Sequence, residues 1–212
     1  MLYIFKTATT NNTTFKMQLI SSLAAAAALL GASVQAQSDS IVLGGLMSLR
    51  SLSPIHFGQV NAANGKFWIW GPGPKTYCPP QAGNCPTGND TVISLSNDTG
   101  RASLYTLVPG GQNIYVAPDA SLSFTEPHQE GVFPPGSILD GFSFTPAQHQ
   151  DGVSLVNYNG NGSTGFTACP ASGDYPWQIF AAVPSKSFSS ECLPFGIQGG
   201  KVTSSPDVWE YI

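Results

Sequence analysis

Glycine and proline break this chain about once every dozen residues from residue 37 onward, with 23 glycines and 17 prolines in all. Inside a helix each glycine costs about 1 kcal/mol and each proline about 3 kcal/mol relative to alanine. No amphipathic helix stands out, and what lies between the breaks has the pattern of strands. Leu122 and Phe124 alternate with Ser121, Ser123 and Thr125, and Phe142 and Phe144 alternate with Ser143 and Thr145. Other runs are apolar on both faces: residues 67–70, 104–108, 114–116 and 177–183. Both patterns are strand patterns. Turn clusters separate them: Asn64-Gly65, Pro109-Gly110-Gly111, Pro118-Asp119, Asn159-Gly160-Asn161-Gly162 and Ser172-Gly173-Asp174. About eleven or twelve short strands without helices predict a single all-β domain. A loose threefold similarity between residues 55–70, 103–124 and 153–180 suits a β-trefoil. Another small β-barrel, or a β-sandwich, fits the same strands.

The first 36 residues stand apart as a leader. Residues 19–31 read LISSLAAAAALLG, the length of a signal-peptide apolar core, and Val34-Gln35-Ala36 places small residues where a signal peptidase reads. The signal peptide spans residues 17–36, with the start codon at Met1 or Met17, and the domain spans 37–212. A run this short with a cleavage signal behind it is not a membrane anchor. The ending SSPDVWEYI has no hydrophobic tail of the lipid-anchor type. The expected product is secreted and free of the membrane.

In residues 37–212, Arg50, Lys66, Lys75, Arg101, Lys186 and Lys201 stand against twelve acidic residues, a net charge of −6. That balance leaves no electrostatic footprint for nucleic acid. Charged residues make up 9% of the chain, against about 25% in an average domain. Solubility therefore falls to neutral polar side chains and to sugar. Three sequons, Asn89-Asp90-Thr91, Asn97-Asp98-Thr99 and Asn161-Gly162-Ser163, predict surface loops and N-glycosylation at Asn89, Asn97 and Asn161. Four cysteines in a secreted chain predict two disulfides. Cys78–Cys85 with Cys169–Cys192 makes two local loops, worth roughly 2.5 and 3.5 kcal/mol by chain entropy; crossed pairings remain open.

Catalytic signatures are sparse. The nucleophile pentapeptide G-x-S-x-G does not occur, and His56, His128 and His149 are scattered. Cysteines in disulfides supply no thiolate. Glu126, His128 and Glu130 alternate, so an extended segment would point two carboxylates and an imidazole one way, toward a metal. Pro127 and Pro134-Pro135-Gly136 make a polar loop the plainer reading. The twelve acids allow many carboxylate pairs and single out none. Residues 196–200 are glycine-rich without the GK[ST] ending of a phosphate loop. The expectation is no enzyme, no cofactor and no metal.

The most concentrated aromatic stretch is KFWIWGPGPKTYCPPQAGNCP, residues 66–86. In a strand, Phe67 and Ile69 share one face and Trp68 and Trp70 the other. A run apolar on both faces is more often a core strand, since burying each ring is worth roughly 1.5–3 kcal/mol. The other reading is an aromatic platform for sugar, with Trp68, Trp70 and especially Tyr77, outside the strand, as binding candidates.

The C-terminal third carries a more specific likeness. GFTACPASGDYPWQIFAA (165–182) and FSSECLPFGIQGGKVTSSPDVW (188–209) contain Ala168, Cys169, Pro170, Trp177, Ile179, Cys192, Val202, Ser205 and Pro206 in a pattern that resembles the fungal secreted PhiA-type cell-wall proteins. VPGGQNIYVAPDASLSFTEPH (108–128), Thr76-Tyr77-Cys78-Pro79 and, more loosely, SPIHFGQVNAANGKFWIWG (53–71) resemble relatives recorded as IgE-binding proteins or allergens. The resemblance implies an extracellular, wall-associated protein tied to conidium and phialide development, touching wall polysaccharide or wall proteins. It brings no catalytic residues. Family chains often have a further cysteine near the C-terminus, where Val208-Trp209-Glu210 stands here, so no disulfide pattern is carried over. The function expected is a non-enzymatic structural or adhesive wall component; the alternative is a soluble lectin-like or effector-like module.

Overall fold

Fourteen strands and two short 3-10 turns make up the fold, and no α-helix occurs among the described residues. The structure, a computed structural model, describes residues 40–129, 131–149 and 152–212. The leader and its signal peptide lie outside that range, as does Glu130. The strands are β1 (Ser40–Leu49), β2 (Val60–Ala63), β3 (Lys66–Ile69), β4 (Thr76–Tyr77), β5 (Ile93–Ser96), β6 (Arg101–Leu104), β7 (Gln112–Val116), β8 (Leu122–Phe124), β9 (Phe142–Thr145), β10 (Leu155–Tyr158), β11 (Phe166–Pro170), β12 (Trp177–Ala181), β13 (Leu193–Lys201) and β14 (Glu210–Tyr211).

Nine strands close into a barrel in the order β1-β5-β6-β7-β8-β3-β12-β11-β13, with β13 returning to β1. Strands β5 to β8 form an up-and-down meander because short turns link them. The predicted turn clusters sit at hairpins: Asn64 and Gly65, both at positive φ (53° and 69°), join β2 to β3 as a type I′ turn requires. Pro118 and Asp119 lie between β7 and β8, and Ser172 to Asp174 between β11 and β12. One edge of β3 carries β2. Its other edge meets β8 at Lys66 and β12 at Trp68 and Ile69. β10 extends the sheet from β13, and β9 hangs on β10.

All-β architecture in one domain is therefore what the structure shows, in the general barrel form. The six-stranded barrel and triangular cap of a trefoil are absent, since β3 reaches across the chain to β8 and β12 rather than staying within one of three equal units. The apolar run at 104–108 stops being a strand at Leu104, because Leu107 and Val108 turn to receive the C-terminal segment.

Inward-facing residues pack the barrel tightly. A space of about 20 Å³ remains among Leu46, Phe67, Ile93, Ile114, Phe142 and Phe166, and no polar residue lines it. One water would fit that volume but find no partner there, so the interior is dry. The two disulfides, Cys78–Cys85 and Cys169–Cys192, are both local. The first closes the loop holding the 3-10 turn Pro80–Ala82, and the second ties β11 to the start of β13.

The barrel end where β6 and β8 finish and β7 begins is plugged by residues 208–212. Val208 and Tyr211 are buried in the core. The N–H groups of Leu107 and Val108 donate to the carbonyls of Val208 and Trp209, at 3.1 and 3.0 Å. Gln112, itself buried, holds the plug at both backbone groups of Tyr211: its Nε2 donates to Tyr211 O (2.8 Å) and its Oε1 accepts from Tyr211 N (2.8 Å). The Tyr211 hydroxyl donates to Asp90 O and accepts from Val92 N. Burial pushes the Tyr211 phenol far above its ordinary range, so it stays a donor at any working pH. Replacing Gln112 by alanine takes a hydrogen-bond partner from three backbone groups, the N–H and C=O of Tyr211 and the C=O of Thr125; we expect a loss of about 2–4 kcal/mol, read as a shift of the urea unfolding midpoint at unchanged slope. A midpoint equal to that of the parent protein would show that the plug is held elsewhere.

Candidate surface-binding site

With the interior full, any ligand must meet the outer surface. The 66–86 stretch contributes to both sides of the wall. Phe67 (2% exposed) and Ile69 (0%) enter the core, with Phe67 edge-on to Phe124 at 5.7 Å. The two tryptophans point outward and are not core residues, which corrects the reading of this run as buried on both faces. β3 forms barrel wall, so its second face is covered only by loops.

Trp68 is half-buried under such a loop. Its indole N–H donates to Ala63 O (2.8 Å), and its ring lies 5.5 Å from that of Tyr175, whose hydroxyl donates to Gly73 O. Trp70 is 41% exposed and Tyr77 48%. The Trp70 indole donates to Pro54 O (3.0 Å), and Tyr77 sits on the two-residue strand β4 opposite Glu210. No ring contact joins Trp68, Trp70 and Tyr77 among the described residues, so the structure does not assemble them into one platform.

A different concavity appears where residues 126–129 and 131–139 fold back over β6, β7 and β8. Phe133 lies between two clefts on this face. The smaller, about 150 Å³, touches Arg101, Asn113 and Leu139. The larger, about 520 Å³, is lined by Asn64, Lys66, Tyr115, Glu126, Gln129 and Phe133 among others. Its aromatic wall is Tyr115 against Phe133, ring centres 5.4 Å apart and nearly perpendicular. Tyr115 faces out because its neighbours Ile114 and Val116 face in. Burial raises the Tyr115 phenol, with Ser123 opposing the shift and Asp119 adding to it.

Lys66, which lines the larger cleft, is tied into a polar cluster. Lys66 Nζ donates to Ser121 Oγ (2.5 Å) and Ser123 Oγ (3.1 Å), and the Ser121 hydroxyl and N–H donate to Asp119 Oδ1 (2.6 and 3.0 Å). Burial works to raise the Asp119 carboxyl, but the Ser121 bonds, Lys66 and Lys186 reverse it and hold the group below its usual range. Both serines have no exposed surface. Their hydroxyls anchor the lysine rather than face a substrate.

Glu126 and His128, the described members of the alternating trio, do not gather with a third ligand: among the described residues no three His, Cys, Asp or Glu side chains lie close enough to hold a metal. Glu126 instead lines the cleft, accepting a hydrogen bond from Gln129 (2.9 Å). His56 stacks on Phe57 and accepts the Arg50 N–H, remote in role from the other histidines. Asn89, Asn97 and Asn161 are all exposed. The cleft residues Tyr115, Phe133, Asn64 and Gln129 were not singled out in the sequence; the alternation of Tyr115 with Ile114 and Val116 is the one signal that marks an outward ring.

The fold is a closed antiparallel barrel with a packed interior and its larger concavities on the outside. The chain belongs to the PhiA-like secreted protein family, whose model matches residues 45–212, from within β1 through the end of the chain. It is 36% identical over 158 residues to a protein of Arthroderma benhamiae described as an uncharacterized secreted protein, covering 72% of this chain and 76% of that one. No solved structure matches it.

The face assignment makes a quantitative distinction. Phe67→Ala should cost about 3–5 kcal/mol, whereas Trp70→Ala should cost under about 2 kcal/mol because its ring is already partly in water. Urea unfolding of both variants checks this, and the reverse order would refute it. Glu210 offers a pH test. Burial raises its carboxyl, and His128 opposes that only in part. A folded-state value above the unfolded one means the charged form is penalised at neutral pH, and stability grows as pH falls through the raised value. Glu210→Gln should therefore stabilise the protein at pH 7 and lose that advantage below the ordinary carboxyl range, as followed by melting temperature against pH.

Proposed function

We propose that the protein is a non-enzymatic component of the fungal cell wall that works by contact, holding neutral wall polysaccharide in the cleft between β7 and residues 126–129 and 132–134. The observation that carries this reading is the cleft's make-up: two angled rings, Tyr115 and Phe133, beside amide, carboxylate and ammonium groups from Asn64, Gln129, Glu126 and Lys66. Sugar rings offer C–H faces to aromatic rings and hydroxyls to groups that both donate and accept. The dry 20 Å³ interior supports an external site. The low charge of the chain suits an uncharged polymer, and membership of a secreted family supports a place outside the cell. The resemblance to PhiA-type proteins extends the proposal to conidium and phialide development, and to IgE binding in sensitised hosts. The rival, a soluble lectin-like or effector-like module, would use the same cleft but stay in the medium.

The test is retention of the secreted protein on insoluble chitin, β-1,3-glucan and washed fungal wall. We expect retention on at least one, weakened about tenfold by Tyr115→Ala or Phe133→Ala, the effect of losing about 1.4 kcal/mol of ring contact. Retention unaltered in both variants would remove the cleft from the proposal, and turnover of any of these polymers would remove the non-enzymatic reading.

A further inference from the structure

The three sequons differ in what folding does with their asparagines. Asn97 lies in the turn between β5 and β6, and its carboxamide is engaged at both ends by one residue of β9. The Phe144 N–H donates to Asn97 Oδ1 at 2.7 Å, and Asn97 Nδ2 donates to Phe144 O at 3.2 Å. A third bond, Phe142 N–H to Gly100 O at 2.9 Å, continues the same line. β9 has a strand partner, β10, on one side only. The turn at residues 97–100 thus takes the place of a neighbouring strand on the open edge of β9, with the Asn97 carboxamide acting as a stretch of backbone. Open edges invite pairing with other chains, and here the edge is occupied from within.

This geometry decides which amide hydrogen is used. Two parallel bonds to the N–H and C=O of a single residue need the Asn97 hydrogen that lies on the same side as Oδ1. An N-linked sugar attaches to that position, because a substituted amide is planar and prefers its substituent beside the oxygen. A glycan on Asn97 would therefore point into Phe144 and open the β9 edge.

Neither of the other two asparagines has such a role. Asn89 and Asn161 are exposed, and their carboxamides make no hydrogen bond among the described residues. Asn161 sits at φ 51° in the short turn Gly160–Gly162, which lifts it from the surface. The hydroxyl residues of these sequons do the structural work instead: Thr91 Oγ1 accepts the Ala62 N–H, and Ser163 Oγ bridges to Gly165.

We propose that the secreted protein carries N-linked glycans on Asn89 and Asn161 and leaves Asn97 bare as a structural clamp. The inference rests on passage through the secretory pathway, which recovery of the protein from the medium checks separately. The experiment is glycopeptide mass spectrometry of protein secreted by a fungal host, site by site. Expected is sugar at Asn89 and Asn161 and an unmodified Asn97 peptide. Sugar on most Asn97 copies overturns the proposal, and so does a protein recovered from the medium with all three sites bare. A second readout uses Asn89→Gln, Asn97→Gln and Asn161→Gln after enzymatic removal of glycans. Only Asn97→Gln should lower the melting temperature, by about 2–6 °C; three equal melting temperatures would refute the clamp.

Discussion

The fold depends on one seam, the pairing of β1 with β13. β1 is the longest strand, and it pairs with β5 on one edge and β13 on the other. The two strands do not match residue for residue. Gly44 faces Gly200 and Met47 faces Gln198, so β1 carries an extra residue in a bulge. Gly45 takes it up at φ 60°, where a side chain would strain the backbone. The bulge drives Leu46 inward over Gly199, where an added Cβ would stand 2.8 Å from Leu46 Cδ2. Gly199 is thus explained by packing, since it makes room for the leucine at the closure, whereas a Cβ at Gly196 or Gly200 would make only ordinary contacts. Without this seam the sheet would have two long open edges, and Leu43 and Leu46 would leave the core.

Closing the wall does not close the ends, and residues 208–212 perform that task at one of them. An apolar plug alone would leave the Tyr211 backbone groups without partners in a dry place, at a cost of about 1–3 kcal/mol each. Gln112 resolves this because a carboxamide donates and accepts at once and so imitates a neighbouring strand. Asn97 solves the same problem at the β9 edge. In both places a neutral amide completes a hydrogen-bond ladder that the chain has no further strand to complete. A carboxylate could accept but not donate, so neither position tolerates an acid equally well.

Much of this was legible in the sequence, and the part that was not has a physical reason. Alternation at residues 121–125 and 142–145 marked β8 and β9, because a strand half in water writes its two faces into the chain. Asn64-Gly65 marked a hairpin, because few other residue pairs adopt two positive φ angles. Local cysteine pairs marked the two bridges. The strand order was out of reach: β3 meets β8 and β12 through contacts far apart in sequence, which leave no periodic trace. The tryptophans misled for a related reason. Trp68 and Trp70 read as core by composition, yet hydrophobicity cannot tell the inside of a barrel from an outer face covered by a loop. Tyr115 and Phe133 lie eighteen residues apart, and only the fold-back of residues 126–139 brings them together.

That fold-back suggests why a filled barrel need not be inert. Closing nine strands on a solid core commits every inward side chain to packing, as the 20 Å³ residual space shows. Chemistry is then free to vary only outside, and a bare sheet wall is convex, a poor shape for gripping anything. Concavity must be added by segments laid back on the wall. Two such segments exist here. Residues 70–77 are held by the Tyr175 hydroxyl on Gly73 O, and the Tyr175 ring packs beside Trp68. Residues 131–139, joined to β7 by Ile138 and Val116, leave a groove open beside Tyr115. The first ties Trp68 to Tyr175 and leaves Trp70 and Tyr77 exposed apart from each other, whereas the second sets the half-buried rings of Tyr115 and Phe133 against each other beside an open groove. Aromatic content alone pointed to the first; only in the second do two rings meet in one concavity.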